Sequence, residues 1–389
     1  MRTQSPNRTL LVLSLAVLLA TAPWLAGSAV ADALALRWQL SSAGVVWLTI
    51  ATQLGFIVGT LAYSLTNLAD QYSPRWVFVL SACIGALFNL GFAYLSDTFI
   101  VACCFRFATG LTLAGVYPVG MKIVASWFRG GLGFGLSVMV GALTIGTSLP
   151  FLLRAIGTSL PWQSTVALAS LAAIVGALLV GIGVRDGPHL PAKAEFDSAM
   201  IWKLFRIRPY RLAALGYFGH MWELYAFWAM LTAYVAHAPA LQSSPKTAAF
   251  VVFIAIAIGG AGCVLGGLAS RRYGPRRVAL LALLLSFTCC VASGFAFDLP
   301  APLLAAFLFF WGMAVVADSP QFSALAVQTC PPQYVGTALT VQNGVGFAIT
   351  IASIQLLPVV ASSIGWQWTF LVLAPGPLLG AVALRALRT

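Results

Sequence analysis

The stretch Asp70-Gln71-Tyr72-Ser73-Pro74-Arg75-Trp76-Val77 returns 201 residues later as Arg271-Arg272-Tyr273-Gly274-Pro275-Arg276-Arg277-Val278, with tyrosine, proline, arginine and valine in the same places. Working outward, Gly110 and Pro118 stand opposite Gly312 and Pro320 at an offset of 202, and Trp162-Gln163 stands opposite Trp366-Gln367 at 204. Any one of these matches is weak. Three of them, in the same order and at nearly constant spacing, mean that the chain is two copies of one unit. The copies occupy residues 1-184 and 211-389, and the polar stretch 185-210 links them.

Composition identifies the solvent of each copy. Of 389 residues, 60% are hydrophobic and 8% charged, and the mean hydropathy is +0.95. Soluble domains carry about 25% charged residues, so a chain this poor in charge faces mostly lipid. Apolar runs of spanning length, about 20 residues each, begin near Thr9, Ala43, Trp76, Thr98, Leu132 and Gln163, and again near Arg211, Thr247, Arg277, Pro302, Gly336 and Trp366. This predicts an all-α integral membrane protein with twelve transmembrane helices in two pseudo-symmetric six-helix bundles. The loops left over are too short for a large catalytic domain. The first run, with Arg2 and Arg8 before it and Ala29-Val30-Ala31 after it, has features of a signal peptide. Its length, and the eleven spans that cleavage would leave, favour its retention as span one.

The net charge of +12 is spread along the chain rather than gathered on one face, which argues against nucleic acid. With the amino terminus in the cytoplasm, Arg75, Arg129, the six basic residues from Arg185 to Arg211, Arg271, Arg272, Arg276, Arg277, Arg385 and Arg388 fall inside. Only Arg37, Arg154 and Lys246 fall outside. That bias sets orientation by the positive-inside rule, with both termini cytoplasmic, as in a multi-pass protein of a bacterial inner membrane. The seven cysteines show neither metal-ligand spacing nor a disulfide framework. No nucleotide loop or nucleophile triad is visible, so no cofactor and no metal are expected, and nothing in the chain points to an enzyme.

Two parallel six-helix repeats, a basic loop between spans two and three of each, and a cytoplasmic linker resemble the major facilitator superfamily of secondary transporters. The family's loop motif is degenerate here. Asp70 and Arg75 match it in the first copy, where Gln71 and Ser73 depart, and Gly274, Arg276 and Arg277 match it in the second, where Arg271 replaces the acid. Arg106 and Gly110 match a second family motif in span four, whereas the glycine-proline pair of drug antiporters is missing between Gly141 and Pro150. The resemblance implies a central cavity lined by spans one, four, seven and ten, alternating access, and a gating role for Asp70, Arg75 and Arg276 at the cytoplasmic ends of the halves. It also implies a small-molecule substrate, with lipid as the surrounding partner and the monomer as the working unit.

Of 21 basic and nine acidic residues, only Arg106, Lys122, Glu223 and Asp318 lie well inside predicted spans. These are spans four, seven and ten. Ionisable groups at membrane depth are costly and usually functional. Glu223 shares a helical stripe with Tyr217, His220 and Phe227, and either Glu223, the stronger candidate, or Asp318 could carry a coupling proton, with His220 or Arg106 as partner. The alternative for Glu223 is a helix-packing hydrogen bond, and for Asp318 a cap on backbone freed by Pro320. Arg106 offers a forked guanidinium to a substrate carboxylate or to one of these acids. On a continuous helix Tyr117 would share its arc, and Lys122 would snorkel to the interface. Trp24, Gln53, Tyr117, Trp311, Gln321, Gln342 and Asn343 complete a pocket for a small, partly planar or anionic organic solute. Uncoupled facilitation or exchange is the alternative within transport. A sensor or enzyme on the same scaffold is the alternative outside it.

The repeat sets a testable topology. Reporter fusions should place Lys246 on the outer face and Arg271 in the cytoplasm, and finding both on one side would break the twelve-span reading.

Overall fold

The computed structural model describes residues 5–66, 68–128, 132–157, 161–189, 198–242, 244–331 and 335–387, and its regular elements are all helical among these residues. Two compact units, Met1–Lys193 and Ala194–Thr389, divide the chain at a point inside the linker stretch. In the first unit, span one comprises Pro6–Ala20, Ala26–Ala29 and Ala31–Trp38, and span two is Ser42–Leu65. Span three is Pro74–Tyr94, span four joins Phe99–Leu113 to Tyr117–Trp127, and spans five and six are Leu132–Ile156 and Trp162–Gly183. The second unit repeats the order. Span seven is Arg208–His237, span eight joins Pro245–Ala257 to Gly259–Tyr273, and span nine is Pro275–Ala296. Span ten joins Ala301–Ala314 to Ser319–Thr329, span eleven is Val335–Ile364, and span twelve runs from the 3-10 turn Trp366–Leu373 into Pro375–Ala386.

Ten of these segments are long and apolar enough to cross a membrane. The two exceptions have separate causes. Span one is broken, and its first piece has only 15 residues. Span seven has 30 residues, but His220, Glu223 and its tyrosines and tryptophans dilute its hydropathy.

The prolines paired across the repeat each follow an opening in their span. Span four opens at 114–116 just before Pro118, and span ten at 315–318 just before Pro320, because proline lacks the amide that would continue the helix and crowds the preceding turn. Span one opens in the same way at 21–25, around Pro23.

Glycine sets the closest approaches. A Cβ on Gly110 would lie 2.0 Å from the Thr52 carbonyl oxygen, and one on Gly312 would lie 1.7 Å from that of Ala255. Spans two and four, and spans eight and ten, therefore meet backbone to backbone, at equivalent positions in the two copies. Lipid tails are as apolar as leucine, so membrane helices associate through such close packing rather than through water exclusion.

The linker holds an element that its polarity hides. Residues Ser198–Arg206 form a helix whose Leu204 is buried against span seven, with Phe205 beside Tyr210 and Phe218, while Trp202 remains 78% exposed.

Gly110→Val and Gly312→Val should each destabilise the protein by about 1–3 kcal/mol or more through overpacking, read as a lower Tm in detergent. Gly344→Ala, where nothing lies within 4 Å of the added Cβ, should leave Tm nearly unchanged.

Candidate functional site

In the first unit the deep charge is Arg106, which is fully buried. Its Nη1 donates to the Pro23 carbonyl oxygen and to Asn89 Oδ1, both at 2.9 Å, and its Nη2 donates to the Trp24 carbonyl oxygen at 2.5 Å. Pro23 and Trp24 lie in the opening of span one, where the Pro23 carbonyl also accepts from the Ala26 amide at 3.3 Å. Asn89 comes from span three and donates in turn to the Val166 carbonyl and to Ser170 Oγ of span six. The guanidinium also lies 5.4 Å from the Phe92 ring. All of its hydrogen-bond partners here are neutral, in place of the carboxylate that its forked shape suggests. The arc expected to join Arg106 to Tyr117 depends on a continuous helix, and the opening at 114–116 interrupts it.

In the second unit Glu223 is 1% exposed. Its Oε1 accepts hydrogen bonds from Ser286 Oγ at 2.5 Å, Trp311 Nε1 at 2.7 Å and Cys290 Sγ at 3.3 Å. Spans nine and ten thus supply donors to a carboxyl on span seven. His220 is not among its hydrogen-bond partners in the described residues, and neutral donors take that place. Trp311, expected to face solute, instead stacks on Phe227 at 4.5 Å and holds this carboxyl.

One turn before Glu223, His220 is 1% exposed and reaches the opening of span ten. Its Nδ1 lies 2.9 Å from Asp318 Oδ1, an ion-pair distance off the axis of a hydrogen bond. Its Nε2 shares a 2.7 Å hydrogen bond with Ser319 Oγ. Asp318 occupies the N-cap position of the helix Ser319–Thr329, yet its side chain makes no capping bond. The carboxyl is therefore turned toward the imidazole. Tyr217 and Phe322 wall this pair, with their ring centroids 5.9 and 5.6 Å from that of His220. Next to them Tyr217 donates to Asn343 Oδ1 at 3.1 Å, which brings a residue of span eleven to the same stripe.

The other candidates are amides and rings. Gln53, Gln321 and Gln342 are buried, and both polar ends of Gln53 and Gln342, as well as Nε2 of Gln321, have no hydrogen-bond partner among the described residues. Trp24 is buried with its ring 4.8 Å from Phe56, and Tyr117 is half-buried at the start of the second piece of span four.

The gating candidates take partners within their own units. Arg75 donates to the Gly181 carbonyl near the end of span six, and Arg276 donates to the Leu384 and Arg385 carbonyls at the end of span twelve, at 2.8 and 3.0 Å. The side chain of Asp70 lies outside the described residues. Asp186 serves the loop instead. It accepts from Ser73 Oγ and, at 3.1 Å, from the Arg75 amide, binding the start of span three as an acid at a helix N-terminus does.

Arg106, Asn89, Ser286, Cys290 and Trp311 bond one helix to another, and His220, Asp318 and Ser319 form a second polar cluster. Sequence reading passed over Asn89, Ser286 and Ser319. Asn89 alone carries a signal, an amide in the otherwise apolar run of span three.

The sequence model of the Major Facilitator Superfamily matches residues 10–354. The chain belongs to that superfamily. It is therefore a multi-pass membrane transporter and not an enzyme. Solved superfamily structures share its fold. The proton:xylose symporter XylE bound to 6-bromo-6-deoxy-D-glucose superposes with a TM-score of 0.78 at 13% identity, covering 98% of this chain and 96% of that one. The E. coli fucose:proton symporter FucP gives 0.67 at 16%, covering 98% and 100%. The human organic anion transporter MFSD10 gives 0.72 at 17%, again covering 98% and 100%.

Arg106→Lys should lower stability by about 1–3 kcal/mol, because an ammonium cannot satisfy the Pro23, Trp24 and Asn89 oxygens together and a buried acceptor left unpaired costs that much. Thermal unfolding of the purified variant checks this, and its transport rate should fall further than that of Arg37→Lys.

Proposed function

We propose that this superfamily member is a proton-coupled secondary transporter of a small organic solute, working by alternating access in a bacterial inner membrane with both termini cytoplasmic. The observation that carries the coupling is the buried His220 held between Asp318 and Ser319 at the opening of span ten. With one proton added to the neutral imidazole and the carboxylate, the pair is neutral overall. Without that proton it holds a net negative charge away from water, which is costly. A carrier that reorients readily only in the neutral form moves its proton with its solute. Glu223 has three neutral donors on one oxygen, which suits a fixed acceptor better than a proton that must leave in each cycle. The proton symporters among the structural neighbours lend this reading support by fold alone.

For the solute we favour a neutral, hydrogen-bonding molecule over an anion. Arg106 is engaged with neutral protein oxygens, while the amides of Gln53, Gln321 and Gln342 leave donors and acceptors open. Buried amides without protein partners gain most from a ligand that supplies hydroxyl or carbonyl groups.

Asp318→Asn keeps the size and most of the hydrogen bonding of the carboxyl while fixing its charge at zero. In proteoliposomes it should exchange solute across equal pools at near the wild-type rate and lose pH-driven accumulation, by tenfold or more. Glu223→Gln should keep that accumulation. Coupling lost in Glu223→Gln and retained in Asp318→Asn would assign the proton to the other acid.

A further inference from the structure

The second unit carries an apolar groove that the transport reading does not use. It has a volume of about 690 Å³ and runs between spans seven, eleven and twelve, along Leu212, Leu215, Phe218 and Trp222 on one wall and Leu379 and Val382 on the other. Leu215, Leu379 and Val382 are 45%, 67% and 57% exposed, so the groove opens to the outside of the molecule. Its floor exists because the two helices touch at glycine. A Cβ on Gly219 would lie 2.2 Å from the Gly376 carbonyl oxygen, and the outer end is closed by Trp222, whose Nε1 donates to the Val372 carbonyl.

Length and charge identify an occupant. Leu212 to Trp222 spans roughly 15 Å at 1.5 Å per residue, the hydrocarbon depth of one leaflet of a core about 30 Å thick. One turn below Leu212 in the same helical stripe is Arg208, and beside Val382 on span twelve is Arg385, both exposed. The linker helix adds Lys203 and Arg206, exposed as well, and its Phe205 packs on the groove residue Phe218 at 6.4 Å. No acidic residue occurs from Ser198 to His220 or from Pro375 to Leu387. A slot as long as an acyl chain therefore ends in a rim of cations with Trp202 exposed beside it, the arrangement that attracts anionic headgroups at an interface.

The geometry points to a binding site for an anionic phospholipid, with one acyl chain in the groove and the phosphate on Arg208 and Arg385. The site is separate from the His220–Asp318 cluster and would hold a lipid whether or not protons are coupled.

The test uses the full chain purified in detergent, with dioleoylphosphatidylglycerol, dioleoylphosphatidylcholine and glycerol 3-phosphate as probes in native mass spectrometry. The expected result is phosphatidylglycerol bound at least tenfold tighter than phosphatidylcholine, with that preference lost in Arg208→Gln/Arg385→Gln and binding of both lipids weakened in Leu379→Trp, which fills the groove. A photoreactive acyl chain on phosphatidylglycerol needs no variant, and should label Leu215, Leu379 and Val382 in the wild type. Equal affinity for the two lipids, an unchanged preference in the arginine double variant, or glycerol 3-phosphate binding as tightly as the lipid would overturn the proposal. So would labelling spread evenly over other exposed apolar residues.

Discussion

A charge placed in hydrocarbon must bring its own partners, and each half of this protein is organised around one such charge. Arg106 on span four collects oxygens from spans one and three. Glu223 on span seven collects donors from spans nine and ten. Spans one, three and four of the first copy correspond to seven, nine and ten of the second, so the same three-helix junction is closed twice with donor and acceptor exchanged. At the break in span one the guanidinium bonds the Trp24 carbonyl and shares that of Pro23 with the Ala26 amide. Span seven needs no break, since its junction charge is an acceptor and asks nothing of the backbone.

The remaining repeated devices serve the ends and crossings of helices. Arg75 and Arg276, equivalent in sequence, each reach the carbonyls near the end of the last span in their own half, where a cation complements both the free oxygens and the helix dipole. Gly110 and Gly312 bring two spans into backbone contact. Polar groups meet irregular backbone at the openings of the spans, Arg106 at that of span one and the His220–Asp318 pair at that of span ten.

Much of this was legible in the chain. Prolines and glycines act locally, so their recurrence at a constant offset gave the two copies and the paired openings directly. The partners of the charges were not legible, for a physical reason in each case. Those of Arg106 include backbone carbonyls, which carry no residue signature, and they are available only because Pro23 opens span one. Asp318 reads as a candidate proton carrier or a cap, and only the fold brings His220, on another span, within reach. The linker helix was missed because its apolar residues stand among polar neighbours, with Leu204 enclosed and Trp202 exposed.

The two junctions also differ in when they can form during synthesis. Every acceptor of Arg106 lies upstream of it, 17 to 83 residues earlier, so the first junction can close as span four enters the bilayer. The donors to Glu223 lie 63 to 88 residues downstream. At about 5–20 residues per second, Trp311 leaves the ribosome roughly 4–18 s after Glu223. Until Ser286, the first of these donors, emerges, span seven must wait with its carboxyl unpaired. Its pairing within the membrane is complete only when spans nine and ten arrive.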